Sequence, residues 1–273
     1  MIFVLFLISG LLIFVIGSGY YSLFPTNKSL LFKIFLVILF LIPSLLLEEG
    51  QAEWRQVFQA FFVASGANLI GWFFGPRIVR SLRLSDDRLQ GISLGKLIES
   101  CLVISTILLI LFLNGNPPSS IYLEWGDLRW GLIAGLGTGL VFLGIAFLQT
   151  KSLGISRKTL ASLAPWIVIF VLANAAMEEL WFRAIFLKRF EAFVGPAGSL
   201  ILTALIFTTA HIGATYLSRK ERLQFLVILF PLALWWGYLM QRSGGILGSI
   251  LSHAGADLLI VNGYIEALQD ENE

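Results

Sequence analysis

Two adjacent glutamates in an apolar stretch are the first residues of this chain that could do chemistry. Glu178 and Glu179 lie in the segment NAAMEELWFR, and Arg183 follows the second glutamate by four residues. Adjacent residues of an α-helix point about 100° apart, so the two carboxyl groups face different directions. Glu179 and Arg183 are spaced to pair along the helix. Glu178 has no cation at that spacing and shares a helix face with Asn174 and Trp181, so we expect it to be free for proton transfer.

The two histidines of the chain supply a second set of candidate groups. His211 ends the segment FTTAH, which begins at Phe207, and His253 precedes Asp257 by one helical turn in HAGAD. Each feature taken alone has a structural explanation, because a buried histidine commonly hydrogen-bonds a neighbouring helix and an i,i+4 ion pair commonly stabilises its own helix. Together, the groups on three separate segments indicate acid–base catalysis or metal binding.

The composition indicates that a lipid bilayer surrounds these groups. The chain has 273 residues, of which 57% are hydrophobic and 13% charged, and its mean hydropathy is +0.85. A soluble domain carries about 25% charged residues, so this chain has too few charged residues to form the surface of a globular domain in water. The net charge of +2 is small, and no basic stripe with interleaved aromatic residues is present. We therefore expect a lipid environment and no nucleic-acid partner.

The apolar segments have the length of transmembrane helices. A spanning helix needs about 20 mostly apolar residues, and the sequence offers nine such segments. They lie near residues 2–24, 30–47, 57–76, 97–113, 130–149, 163–187, 198–214, 224–240 and 246–262. We interpret the first as an anchor, because no positive residue precedes it and no small-residue cleavage pattern follows it. The predicted fold class is all-α, a polytopic transmembrane helix bundle with eight to nine spans.

Placement inside such spans strengthens the functional interpretation of the ionisable residues. An ionisable group at the centre of a spanning helix costs about 2.5–3.5 kcal/mol on insertion scales, and such groups commonly mark functional sites. The fifth span also has a regular pattern, with Gly131, Gly135 and Gly139 recurring every four residues. This spacing predicts close packing against another helix rather than chemistry.

The three polar motifs, in this order on successive apolar segments, resemble those of the CPBP family of intramembrane proteases. That family includes the type II CAAX prenyl endopeptidases and bacteriocin-processing or self-immunity proteins. Its pattern is E-E-x-x-x-R, then F-x-x-x-H, then H-x-x-x-N or D, which this chain matches with Glu178-Glu179 to Arg183, Phe207 to His211, and His253 to Asp257. The resemblance implies a catalytic core at residues 163–262. It leaves the role of the helices in residues 1–150 unknown and ends before an acidic tail at residues 263–273.

The resemblance also implies roles for individual residues. Glu178 and His211 would activate a water for attack on a peptide carbonyl, and His253 and Asp257 would hold the developing oxyanion. The motif residues that would support these catalytic groups are Glu179, Arg183 and Phe207. The roles are chemically consistent, because a carboxyl group removed from water is a stronger base and fixed donors act most strongly where water is excluded.

Residue 257 leaves the cofactor open, since many family members have asparagine there. An ionised Asp257 cannot donate to an oxyanion, so it must be protonated, orient His253 or bind a metal. A Zn²⁺ site built from Glu178, His211, His253 and Asp257 is chemically reasonable, although no H-E-x-x-H segment supports it. We therefore expect a glutamate-activated water without a cofactor, and keep a divalent metal such as zinc as the alternative.

The expected function is that of a multi-pass integral membrane endopeptidase, in the cell membrane, acting on a peptide or protein substrate. One alternative is a transporter that uses the same buried groups as a proton relay. Helices interrupted at matching positions of two halves would favour transport, and the sequence shows no such symmetry. A second alternative is a non-catalytic scaffold or immunity protein that binds a peptide in the same cavity.

Overall fold

The computed structural model describes residues 1–17, 26–84, 88–213 and 219–270. These residues form nine α-helices and no strand, which confirms the predicted all-α bundle. The helices are α1 Ile2–Leu11, α2 Thr26–Leu46, α3 Ala52–Ser81, α4 Leu89–Leu113, α5 Leu128–Ser152, α6 Arg157–Glu178, α7 Leu187–Ala210, α8 Arg219–Ser243 and α9 Leu247–Asp270. Two π-helical segments, Leu12–Ile16 and Glu179–Ala184, continue α1 and α6 respectively.

Seven helices of the described part are long and apolar enough to cross a membrane, namely α2 to α8. The first expected span is shorter than predicted where it is described, because α1 and its π segment end at Ile16, and residues 18–24 lie outside the described part. The ninth span is present as α9, with 24 residues. It carries the polar residues His253, Asp257 and Asn262. It also continues to Asp270, beyond the predicted start of the acidic tail, and residues 271–273 lie outside the described residues.

Helix ends are set by local sequence signals. The Asp127 side chain accepts a hydrogen bond from the Trp130 backbone N–H and begins α5, and Ser156 caps α6 in the same way through Thr159. Such caps satisfy backbone donors that the first turn leaves unpaired. Helix α7 is broken into two arms at Gly195, which has φ 71° and precedes Pro196. The glycine is required there because other residues rarely adopt this φ.

Helix α9 lies at the centre of the C-terminal half, packed against α5, α6 and α8. Its contact with α5 is a direct approach of two backbones. A Cβ atom added at Gly135 would lie 2.5 Å from the carbonyl oxygen of Gly248, and one added at Gly255 would lie 2.6 Å from the Cα of Gly139. This close approach is what the four-residue glycine spacing in α5 predicts, and it fixes the position of the helix that carries His253.

We predict that Gly135→Ala destabilises the protein whereas Gly137→Ala does not. Both substitutions add one methyl group to α5, and each gains about 1 kcal/mol of helix propensity. At Gly137 the methyl meets nothing within 4 Å, but at Gly135 it meets the backbone of α9. Forced overpacking costs about 1–3 kcal/mol, so Gly135→Ala should have the lower midpoint of thermal unfolding in detergent. Equal midpoints for the two variants would show that α5 and α9 do not pack through their backbones.

Candidate active site

The paired glutamates lie where α6 changes from an α-helix to a π-helix. Glu178 is the last residue of α6, and Glu179 is the first residue of the π segment. A π turn widens the helix and changes the direction of the residues that follow, and such turns are frequent at functional sites. The helix continues without a break, so both carboxyl groups are held on one rigid element.

Glu178 meets both histidines of the chain. The Nε2 atom of His211 lies 3.8 Å from Oε1 of Glu178, and the Nε2 atom of His253 lies 3.5 Å from its Oε2. These residues come from the end of α6, the end of α7 and the middle of α9, so the fold brings three separate motifs to one place. His211 is the most accessible of the three, with 23% of its side chain exposed, against 11% for Glu178 and 3% for His253.

The second nitrogen of each imidazole has a hydrogen-bond partner of its own. Nδ1 of His211 lies 2.8 Å from the backbone carbonyl of Phe207, and Nδ1 of His253 lies 2.7 Å from Oε1 of Glu179. A carbonyl oxygen and a carboxylate can only accept, so Nδ1 carries the proton in both rings. Both Nε2 atoms are thereby directed at Glu178, and the Nε2 of a neutral ring is left able to accept a proton.

Glu179 is fully buried and its carboxylate is fully engaged. Its Oε1 accepts a hydrogen bond from Nη1 of Arg183 at 2.5 Å as well as from His253, and its Oε2 contacts the Ser249 hydroxyl. Both side chains of the Glu179–Arg183 pair have an exposed fraction of zero. The i,i+4 pairing expected from the sequence is therefore present. The contact with His253 adds a link from this pair to α9.

Asp257 lies beside His253 and is held by Asn174. Oδ1 of Asp257 is 3.5 Å from Nε2 of His253, and Oδ2 accepts a hydrogen bond from the Asn174 amide at 3.0 Å. The His253 nitrogen therefore lies between two carboxyl groups, those of Glu178 and Asp257, at equal distances. These separations exceed the usual 2.7–3.2 Å of a direct hydrogen bond, so the groups face a common point without bonding one another.

Asn174 and Trp181, the two residues expected to share a helix face with Glu178, have different partners. Asn174 bonds Asp257 in α9, whereas the indole N–H of Trp181, in the π segment, donates to the backbone carbonyl of Ala64 in α3, at 3.1 Å.

An aromatic and cationic layer surrounds the histidines. The Phe207 ring lies 4.5 Å from the His211 ring and meets the His253 ring edge-on at 5.8 Å. The guanidinium carbon of Arg183 lies 4.1 Å from the centre of the Phe207 ring. Phe207, which begins the second motif, therefore also contacts Arg183, which ends the first motif. Phe207 thus contacts all three motifs.

Two residues at this site were missed by the sequence reasoning. Ser249, which contacts Glu179, precedes His253 by four residues and shares its helix face, so the spacing in α9 could have indicated it. Trp236 of α8 stacks on the His253 ring with centroids 3.8 Å apart and planes 10° apart. No sequence spacing links Trp236 to the motifs, because it belongs to a different helix.

The residues suit a metal in chemical type but not in arrangement. Imidazole nitrogens and carboxylates are common zinc ligands, and hydrogen bonds from Nδ1 to a carbonyl or carboxylate are typical of zinc-bound histidine. Among the described residues, however, no group of three or more His, Cys, Asp or Glu side chains is arranged so that it could hold a metal ion.

Part of the sequence matches a known family. The family described as Rce1-like, type II CAAX prenyl endopeptidase Rce1-like, matches residues 160–259. The matched range contains all three motifs. No curated protein and no solved structure matches the chain.

We predict that the buried Glu179–Arg183 pair contributes far more to stability than an exposed pair does. Arg183→Met leaves the Glu179 carboxylate buried without its cation, which typically costs about 3–5 kcal/mol. The matched control is Lys188→Met, which removes an ion pair to Glu124 whose side chains are 37% and 41% exposed. Breaking an exposed pair changes stability by about 0–1 kcal/mol. Thermal unfolding in detergent measures both variants, and equal midpoints would contradict a structural role for the buried pair.

Proposed function

From the premise that residues 160–259 form an Rce1-like type II CAAX prenyl endopeptidase domain, we propose that this protein is an intramembrane endopeptidase. The observation that carries the proposal is the convergence of Glu178 with the Nε2 atoms of His211 and His253 inside an apolar helix bundle. A carboxylate and an unprotonated imidazole nitrogen that face one point are the groups that can remove a proton from water.

Glu178 and His211 act on the attacking water. As the water oxygen bonds to the peptide carbonyl carbon, its O–H bond breaks and the proton moves to Glu178, with the Nε2 lone pair of His211 orienting the water. The carbonyl electron pair moves onto oxygen and forms the oxyanion. Glu178 then returns the proton to the amide nitrogen as the C–N bond breaks and the oxyanion electron pair re-forms the carbonyl. The products are a carboxylic acid and an amine, and the acid passes its proton to the amine.

His253 is placed to stabilise the oxyanion. Its Nδ1 proton is committed to Glu179, so Nε2 donates to the oxyanion only when the ring carries a second proton. The carboxyl groups of Glu178, Glu179 and Asp257 surround the ring and can balance that positive charge. Asp257 supports the arrangement through Asn174, which holds one of its oxygens. Fixed donors of this kind contribute most where water is excluded.

The substrate is a peptide or protein segment that reaches the bundle from the bilayer or its surface. The protein would act as a multi-pass protein of the cell membrane, and we propose no nucleic-acid partner. A proton-relay transporter has less support, because the described groups of the site form one cluster around Glu178 rather than a chain of groups across the bundle. No observation favours a non-catalytic scaffold or immunity protein over an enzyme.

Glu178→Gln should abolish peptide cleavage while the protein remains folded. Glutamine keeps the shape of the side chain but cannot accept the water proton, so we expect turnover to fall by at least about 10²-fold, the lower end of the contribution of general base catalysis. Cleavage is measured with a library of internally quenched peptides in detergent and in proteoliposomes. The control is Glu99→Gln, which changes a partly exposed glutamate on α4.

Glu179→Gln should affect stability, in contrast to Glu178→Gln. It weakens the bond to Arg183 and the link to His253, so we expect it to lower the thermal midpoint, whereas Glu178→Gln should not. If Glu179→Gln proves stable but inactive, and Glu178→Gln active, the two glutamates have been assigned the wrong roles.

Asp257→Asn should keep most of the activity, and a zinc chelator such as 1,10-phenanthroline should leave the wild type active. Asparagine can still accept from Asn174 through its oxygen, and the carboxyl groups of Glu178 and Glu179 remain to balance the charge of His253. The purified protein should also lack stoichiometric metal by elemental analysis. Stoichiometric zinc in the wild type, lost together with activity in Asp257→Asn, would instead establish the metal-dependent mechanism.

A further inference from the structure

Helix α8 carries none of the three motifs, yet it contacts Arg183 and His253 directly and is linked to Glu179 through Ser249. The Trp236 ring stacks on the His253 ring. The Trp236 carbonyl lies 3.0 Å from the Ser249 hydroxyl, which also contacts Glu179. One turn earlier, the Ala233 carbonyl accepts a hydrogen bond from Nε of Arg183 at 3.3 Å.

A hydrogen bond at Nδ1 does not by itself fix the His253 ring. It anchors one atom, and the ring can still tilt about that anchor and carry Nε2 away from Glu178. A second constraint must act on the plane of the ring. The indole of Trp236 supplies it, because two nearly parallel rings with centroids 3.8 Å apart are in van der Waals contact over their faces. Phe207 limits motion in the other direction by meeting the same imidazole edge-on.

The surroundings of Trp236 make it a rigid support. Its side chain is 1% exposed, and its ring also meets Phe207 edge-on at a centroid distance of 6.0 Å. The Arg183 guanidinium lies 5.1 Å from the indole centre, a distance at which a cation is attracted to an aromatic face. Phe207 and Arg183 therefore hold the indole in place independently of its contact with His253.

We propose that Trp236 is a positioning residue for the reaction, which fixes the plane of the His253 ring so that Nε2 points at the oxyanion. The proposal rests on the proposed endopeptidase function for its kinetic consequence but not for its structural one. The orientation of the imidazole can be measured whether or not a substrate is known.

The neighbouring Trp235 offers a matched control. It has the same side chain one position earlier in α8, but it lines an apolar groove on the outside of the bundle with residues such as Leu200 and Pro231. Trp235→Leu and Trp236→Leu therefore remove the same group from the same helix, and only the second removes the contact with His253.

The structural test uses the fact that the chain has only two histidines. Protein labelled with ¹³C at the histidine ε1 position should give two imidazole signals, and the His211→Asn variant assigns them. Stacking on an indole shifts the ring proton of His253 upfield. Trp236→Leu should remove that shift, Trp236→Phe should retain part of it, and Trp235→Leu should leave it unchanged. A His253 signal that is the same in the wild type and in Trp236→Leu would overturn the proposal.

The kinetic test separates positioning from simple destabilisation. Small misplacements of a catalytic group can cost about 10²-fold in rate, so Trp236→Leu should lower kcat by about 10–100-fold with little change in KM. Trp236→Phe should restore most of the rate, and Trp235→Leu should match the wild type. If Trp236→Leu does not fold, Trp236→Phe decides the matter: a weakened upfield shift with kcat only a few-fold below that of the wild type supports the proposal, and an unchanged shift or an unchanged kcat opposes it. If the wild type cleaves no peptide but the shift is present, the proposed function fails and the positioning of His253 stands.

Discussion

The buried carboxylate of Glu179 is the interaction on which the rest of the site depends. A full charge cannot stay in an apolar bundle without partners, and Glu179 has three, contributed by Arg183, His253 and Ser249. Arg183 lies on the π segment, and Ser249 and His253 lie on α9. The contacts that neutralise the Glu179 charge therefore also hold these two elements together. It also sets the tautomer of His253, since a carboxylate at Nδ1 requires a proton there. The burial of Glu179 therefore leaves Nε2 as the nitrogen of His253 that faces Glu178.

The π segment explains how two adjacent glutamates can serve different purposes. In the structure Glu178 faces the histidines with 11% of its side chain exposed, whereas Glu179 faces α9 and is fully buried. Of the residues that follow, Arg183 stays beside Glu179, and Trp181 reaches α3. A single helical run thus supplies a partly accessible carboxyl group, a buried ion pair and an anchor to the N-terminal helices.

The N-terminal helices take part in building the site although the family match does not cover them. Helix α5 holds α9 in place through contact of glycine backbones, and α3 accepts the hydrogen bond of Trp181. The π segment at Leu12–Ile16 brings Phe14 within 4.3 Å of the Phe182 ring, next to the reactive part of α6. The segment that matches the family, residues 160–259, is therefore packed against helices that fix the positions of its own helices.

The sequence by itself determined the membrane bundle, the groups that could do chemistry and the pairing of Glu179 with Arg183. These depend on apolar segment length and on spacing within one helix, which are local properties. Tertiary structure decided the link from Glu179 to His253, the bond from Asn174 to Asp257 and the stacking of Trp236 on His253, because each joins residues on different helices. It also decided where Trp181 points, since no residue pattern in α6 indicated the change from α to π geometry. Residue spacing within one helix can identify the groups of such a site, but their mutual orientation depends on how the helices pack.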